Sequence, residues 1–410
     1  MFIKDAIHSY IAIPEFYQPL IDSIPVQRLR RIRQLAGTEY VYPGATHTRF
    51  EHSLGVMYLA GKLCDILNQN GDKATDTGII NDLEKKSIIS GALLHDIGHG
   101  PFSHVYEKLY EDEKKNHEDI TDWLIKTELK ETLENMGLDP GTIAKLATGK
   151  GISKEKLFMS QIIAGTIDCD SLDYLERDSY YTGARIGNLD VQRILLMTRV
   201  HGGNIVFDLK ISLPVLENYF LVRLNSFKQV YYHKTSRAAQ IMIYNALKNN
   251  KSEYDLGIFK EPKDFLKWDD YTIWTAIKDD PFIIKLSKRD LLKLAYEKGS
   301  MSNEINGKKL SHDEIIELEG EIANKAGIPE EEVFIDVPYL KTVPYAHATT
   351  FDPEDIPVFV SGQETIKKFS DLSVVFSLLK GHYNFLRVYC AKEHRKEVEK
   401  ASQEVLNPST

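Results

Sequence analysis

Cysteine is nearly missing from this chain: Cys64, Cys169 and Cys390 are the only three in 410 residues, and no CxxC pair occurs. That excludes a disulfide framework and a cysteine-based zinc site, and it makes a reducing cytoplasm the expected location. Long apolar runs are also missing. No stretch approaches the ~18 consecutive apolar residues of a membrane helix. The opening MFIKDAIHSYIAIPEF carries acidic residues and a proline where an export signal needs an unbroken apolar core. The expectation is a protein that neither leaves the cell nor spans a membrane. Positive charge is not in excess either. With 51 basic against 60 acidic residues the net charge is −9, so a general polyanion-binding surface is excluded and nucleic acid is not an expected partner.

What is present has the balance of a compact enzyme, 42% apolar and 27% charged. The length exceeds what one core usually supports, so a large domain with a smaller companion is expected. From about residue 17 to 250 the apolar residues fall at helical spacing in QPLIDSI, VQRLRRIRQL, SLGVMYLAGKLCDIL, EKKSIISGALLHDI and DVQRILLMTRV. HGGNIVFDLKISLPV, at 201–215, interrupts them as a short hairpin, its Gly-Gly turn preceding alternating apolar residues. Helical patterning resumes over 251–300, in FLKWDDYTIWTAIKDD and FIIKLSKRDLLKLAYEKG. Beyond 330, VFIDVPYL, DIPVFVSG, VVFSLLKG and NFLRVYCA are rich in β-branched and aromatic residues and precede the charged helix EHRKEVEKASQEVL. The polar segment GSMSNEINGKKLSHDE connects the two regions. The fold class is therefore mainly α: a helical body over 1–300 and a small α+β region over 330–410.

Four residues, His52, His95, Asp96 and Asp170, form the pattern H…HD…D. His95 and Asp96 are neighbours on a predicted helix, about 100° apart around its axis, so both reach one ion at its edge. His52 in TRFEHSLG and Asp170 in TIDCDSLDYLERD are candidates for the remaining ligands, each on another helix. Two imidazoles and two carboxylates suit one divalent ion such as Mn, Fe, Zn, Ni or Mg. Four protein ligands leave room on an octahedral ion for water and a phosphate oxygen, the requirement of phosphoester hydrolysis. His99, His104 and His117 follow closely, with His99 at i+4 from His95 on the same helical face. They supply proton transfer near neutral pH, with Glu107 and Glu118 to orient them. The other histidines, His8 among them, read as surface or structural.

With these residues in view the chain resembles the HD-domain phosphohydrolases, and more narrowly the dNTP triphosphohydrolases of the SAM-and-HD-domain type. KDAIHSYIAI, VQRLRRIRQL, VYPGATHTRFEHSLGVMYLAG, LLHDIGHGPFSH, NHE, DCDSLDYLERDSYYTG and YYHK match that family's blocks in order across residues 3–240, with core motifs over 34–178 and no separate SAM domain before them. The resemblance implies an HD helical bundle in which His52, His95, Asp96 and Asp170 hold the metal and Asp168 is only a neighbour. It implies that Arg49 grips the α-phosphate, that His104 lies beside the scissile bond, and that Glu107 and His117 belong to the proton-transfer network, with His99 a further catalytic candidate by its spacing. It also implies that Gln34, Leu35, Tyr174 and Asp178 meet the deoxyribose and that Arg223 and Tyr231 lie near the distal phosphates. Ser171 departs from the pattern, standing where close relatives often carry a phosphate-binding basic residue. Asp22, Gln27 and Arg30 resemble a site for an activating nucleotide, GTP or a dNTP, in a homo-oligomer, dimer or tetramer. Arg28, Arg30, Arg31 and Arg33 form a basic cluster there. Two other functions remain open on the sequence: hydrolysis of a different nucleotide, such as a monophosphate or cyclic dinucleotide, and a nucleotide-sensing or nucleic-acid-binding scaffold with a structural metal.

Overall fold

The computed structural model describes residues 1–70, 79–110, 115–210, 213–302, 310–341, 349–360 and 365–407. The chain opens with an antiparallel hairpin, β1 (Phe2–Asp5) and β2 (Ser9–Ala12). The site-bearing bundle follows: α1 (Arg49–Gln69), α2 (Asp82–Leu94), α3 (His117–Lys126), α4 (Pro140–Ala147) and α5 (Cys169–Thr182). Helix α1 packs against α2 and α5 and is buried around most of its circumference, as in Val56, Leu59, Ala60, Leu63 and Cys64. Each large aliphatic side chain so buried contributes about 1.5–3 kcal/mol, which fixes α1 as the central post of the bundle. Its start is set by Thr48 and Glu51, which form a capping box around its first turn.

Next come the hairpin β3 (Thr198–His201) and β4 (Asn204–Asp208), turning at Gly202 and Gly203, both at positive φ. Helices α6 (Leu213–Ser226) and α7 (Lys234–Asn249) flank a π-helical turn at Phe227–Tyr231. Further along the chain lie β5 (Lys293–Ser302), α8 (His312–Ala326), β6 (Phe334–Asp336), β7 (Tyr339–Lys341), β8 (Pro357–Phe359), β9 (Ile366–Lys368), α9 (Val374–Leu379), β10 (His382–Cys390) and α10 (Arg395–Leu406). Strand β10 is the hub of one sheet, antiparallel to β5, β6 and β7. A second sheet runs β3-β4-β8-β9, with β8 parallel to β4, so C-terminal residues extend the hairpin of the helical body.

The fold is mainly α, as the patterning indicates, but four local expectations need correction. LLKLAYEKG does not continue a helix: the chain leaves its helix after Ser287, passes Arg289 at φ 56°, and becomes β5 against β10. VVFSLL is helical despite its β-branched start, because the Ser373 hydroxyl accepts from Phe376 N and nucleates α9. VQRLRRIRQL stays helical only as far as Arg31, then turns extended at Ile32. Helix α2 ends at Leu94, so His95 and Asp96 lie at its C-terminal cap and in the following turn, not within a helix. The capping Ser311 and α8 take up the end of the expected polar connector, and its residues 303–309 lie outside the described residues. Among the described residues no helix is long and apolar enough to cross a membrane.

Candidate metal centre and adjoining pocket

His52, one turn into α1, His95 and Asp96 at the end of α2, and Asp170 in the first turn of α5 come together. His52 Nε2 lies 2.9 Å from Asp170 Oδ1 and 3.8 Å from Asp96 Oδ2. His95 Nε2 lies 3.3 Å from Asp96 Oδ1 and 3.7 Å from Asp170 Oδ1. The tautomers follow from what each Nδ1 meets. His95 Nδ1 donates to the Ala92 carbonyl at 2.8 Å, and His52 Nδ1 donates to Asp173 at 2.8 Å. Both Nε2 lone pairs are thereby aimed at carboxylate oxygens, an arrangement that repels unless a cation sits between them. His95 Nε2 is buried with no hydrogen-bond partner. This donor set, His52 and His95 with Asp96 and Asp170 beside them, fits a divalent ion. Electrostatics agree: burial opposes a charged His52, yet the bonds and charges of Asp170 and Asp173 outweigh it and carry its pKa to about 10. The site calls for positive charge.

Arg49, the first residue of α1, reaches Asp96 Oδ2 through Nη1 at 2.5 Å and Ser103 Oγ through Nε at 2.9 Å. Phe102 and Ser103 both lie at positive φ, 56° and 54°, a conformation that costs each roughly 1–3 kcal/mol. Two anchors hold it: Asp270 accepts from Phe102 N, and Ser103 Oγ donates to the Arg33 carbonyl. Beyond this turn His104, His117 and Glu107 form one unit. Glu107 accepts from His104 Nδ1 at 2.9 Å and from His117 Nδ1 at 3.0 Å. Burial opposes its ionisation, but the two imidazoles prevail and hold its pKa well below the ordinary value. The His104 side chain is 69% exposed and faces the pocket. His99 stacks on His117 with centroids 4.0 Å apart. Burial, with Arg49 and His117 beside it, keeps His99 neutral. Gly98 permits this assembly, since a Cβ there would lie 2.1 Å from the His117 carbonyl oxygen.

Two cavities meet at this point. One, of about 290 Å³, is lined by His95, Asp96, His99, His104, His117, Glu118 and Asp170 among others. The other, of about 430 Å³, is bounded by Leu35, Asp178, Phe227, Tyr231 and Arg237. Gln34, Arg49, His104 and Tyr174 line both. Gln34 Oε1 is buried there without a partner. Asp178 accepts from His47 Nε2 at 2.8 Å and from the Tyr231 hydroxyl at 2.6 Å, the latter presented by the π-helical turn.

Some expected residues stand elsewhere. Arg223 is buried, with its guanidinium over the Phe227 ring, and does not line either cavity. Ser171 turns inward, caps α5 with Asp168 and accepts from the Tyr219 hydroxyl at 2.9 Å. Asp168 caps α5, and burial and the Asp170 charge push its pKa up to about 7. Asp22, Gln27 and Arg30 line neither cavity; Gln27 accepts from Arg30 Nε. The basic cluster is mixed, with Arg30 and Arg31 exposed, Arg33 partly buried and Arg28 fully buried. Arg28 is buried and donates to the Trp268 and His99 carbonyls, while Arg31 pairs with Asp269 and Arg33 with Glu39. Three contributors escaped the sequence reading: His47, Asp173 and His8, whose ring is only 7% exposed and bonds Asp173. The DxxxR spacing of Asp173 and Arg177, an i,i+4 pair on α5, is the one local signal that pointed to them.

Comparisons with known proteins agree with this architecture. The family described as HD domain matches residues 49–178, and the one described as HD associated region matches 189–409. An uncharacterized protein of Methanocaldococcus jannaschii is 30% identical over 97% of this chain and 80% of its own length. The deoxynucleoside triphosphate triphosphohydrolase SAMHD1 homolog of Dictyostelium discoideum is 34% identical over 65% of this chain and 53% of its own. The Homo sapiens protein SAMHD1 is 31% identical over 72% and 50%. The chain thus spans about half the length of these two triphosphohydrolases. Among solved structures, a hypothetical protein from Aquifex aeolicus superposes with a TM-score of 0.78 at 27% identity, covering 98% of this chain and 99% of that one. A phosphohydrolase from Bacteroides thetaiotaomicron gives 0.72 at 28%, covering 96% and 99%. By its two family matches, the second of which takes in more than half of its length, the chain belongs to the HD-domain phosphohydrolase superfamily.

Proposed function

We propose that the protein hydrolyses deoxynucleoside triphosphates to the deoxynucleoside and inorganic triphosphate. The observation that carries this reading is the pair of joined cavities. One is sized and lined for a nucleoside, the other gathers the metal donors and histidines, and Arg49 stands at their junction. A substrate spanning both sets its α-phosphate beside Arg49. The likeness to named triphosphohydrolases supports the same choice.

A divalent ion held by His52, His95, Asp96 and Asp170 supplies Lewis-acid polarisation of the phosphate and of a water molecule. The protein's own groups do the rest. Arg49, fixed by Asp96 and Ser103, neutralises the α-phosphate. His104, open to the pocket and backed by Glu107, gives a proton to the departing 5′-oxygen, and His117 shares the same carboxylate and completes the relay. Water oxygen bonds to the α-phosphorus, the bond to the 5′-oxygen breaks, and triphosphate leaves with the added oxygen. Leu35 crowds the sugar edge where a ribose carries its 2′-hydroxyl, while Gln34, Tyr174 and Asp178 receive the deoxyribose, Asp178 held by the Tyr231 hydroxyl. Activation by GTP or a dNTP at Asp22, Gln27 and Arg30 in a homo-oligomer, and a cytoplasmic location, belong to the same proposal.

Protein stripped of metal and reloaded with Mn, Fe, Co, Ni, Zn or Mg, with and without GTP, is assayed against dNTPs, rNTPs, nucleoside monophosphates and cyclic dinucleotides. Deoxynucleoside and triphosphate from the dNTPs alone is the expected result. Inorganic phosphate as the product, or turnover confined to monophosphates or cyclic dinucleotides, refutes it; nucleotide binding without turnover under every metal points to a sensor.

A further inference from the structure

Asp173 is wholly buried and makes four bonds with its two oxygens. Oδ2 accepts from His52 Nδ1 and from Arg177 Nε, each at 2.8 Å. Oδ1 accepts from Arg177 Nη2 at 2.9 Å and meets His8 Nε2 at 2.6 Å. Arg177 also holds Asp5 at the end of β1, through Nη1 at 2.8 Å and Nη2 at 3.3 Å. Asp5 Oδ1 in turn accepts from the backbone N–H groups of Ile7 and His8, closing the turn that presents His8. A continuous set of bonds therefore runs from the N-terminal hairpin to the imidazole that faces the metal position. Its charge is suited to that end: one guanidinium lies between two carboxylates, leaving a net negative charge behind His52. Space for it is built into α1. Gly55, three residues after His52, would with a Cβ come within 1.9 Å of Asp173 Oδ1. Glycine in a helix interior is destabilising, and here it lets the carboxylate reach the ring.

We infer that His8 and Asp173 are positioning residues of the metal centre: through the Asp173–His52 bond, the N-terminal hairpin fixes the tautomer and orientation of a metal ligand. Partners of this kind raise ligand basicity, and their loss typically costs 10–100-fold in metal affinity. The inference rests on the metal-site reading above. Its test is the Mn(II) affinity of the full chain after chelation and dialysis, read from the electron paramagnetic signal of free Mn(II), with the melting temperature of each metal-free protein as the check on folding. His8→Phe keeps a ring and removes the donor, and is expected to bind Mn(II) 10–100-fold more weakly than the parent. His8→Gln restores an N–H donor, and is expected within about threefold of the parent. Asp173→Asn, nearly the same in volume, serves if His8→Phe fails to fold, with a loss of at least about tenfold expected. Parental affinity in His8→Phe, or in Asp173→Asn where that variant stands in, overturns the inference while leaving the metal site intact. Equal impairment of His8→Gln and His8→Phe overturns it as well, because the donor is then not what matters. A parent protein that binds no Mn(II) instead removes the metal-site reading itself, and this inference with it.

Discussion

His52 and His95 offer the same nitrogen, Nε2, to the same two carboxylates, and each commits Nδ1 to a different acceptor. Removing either a ring or a carboxylate leaves too few donors for an ion in competition with water. His52→Ala and Asp170→Ala are therefore expected to abolish turnover, with far-ultraviolet circular dichroism unchanged; residual activity above about one per cent in both would count against the ligand assignment. A different residue reports on the hairpin side. Burial raises the Glu176 carboxyl from its ordinary 4.5 to about 7; His8 opposes the shift while Asp173 and Asp190 reinforce it. The folded chain binds that proton more tightly than the unfolded chain. The stability it contributes is full below pH 4.5 and is lost as pH rises through about 7. In Glu176→Gln the melting temperature should fall less than the parent's between those values, and an unaltered slope would contradict the shift.

At the level of elements, the close approach of the turn after α2 to the start of α3 is what brings His99 onto His117. Gly98→Ala places a methyl against the His117 carbonyl and Thr121, and overpacking of this kind costs about 1–3 kcal/mol. Calorimetry should show a melting temperature lower by several degrees together with reduced turnover; a fully active, equally stable variant would show that the approach is not needed. The helices that carry the site were legible in the sequence because their signals are local: apolar spacing and the clustered HD run. Strand β5 was not. Leu291, Leu292, Leu294 and Ala295 suit a helix face equally well, and only pairing with β10, some ninety residues away, decides the matter. VVFSLL erred in the opposite direction, where one serine cap outweighed β-branched propensity.

Across the whole molecule the proposed metal ligands could be singled out because each sits in its own short motif, whereas His8 could not be tied to Asp173 across 165 residues. The same holds for Arg28, which reads as a surface charge until Trp268 and His99 are folded onto it. Helices α1, α2 and α5 meet at one ion position, so metal binding should stabilise the entire bundle. Chelation is expected to lower the melting temperature, and an ion at 100 times its Kd should restore about 2.7 kcal/mol; a melting temperature indifferent to metal would place the ion outside the fold's core. Attack by water on the α-phosphorus is read out by turnover of a dNTP in ¹⁸O-labelled water with mass analysis of both products. One ¹⁸O in inorganic triphosphate and none in the deoxynucleoside is the expected result. Label in the nucleoside, or release of labelled monophosphate, would contradict it.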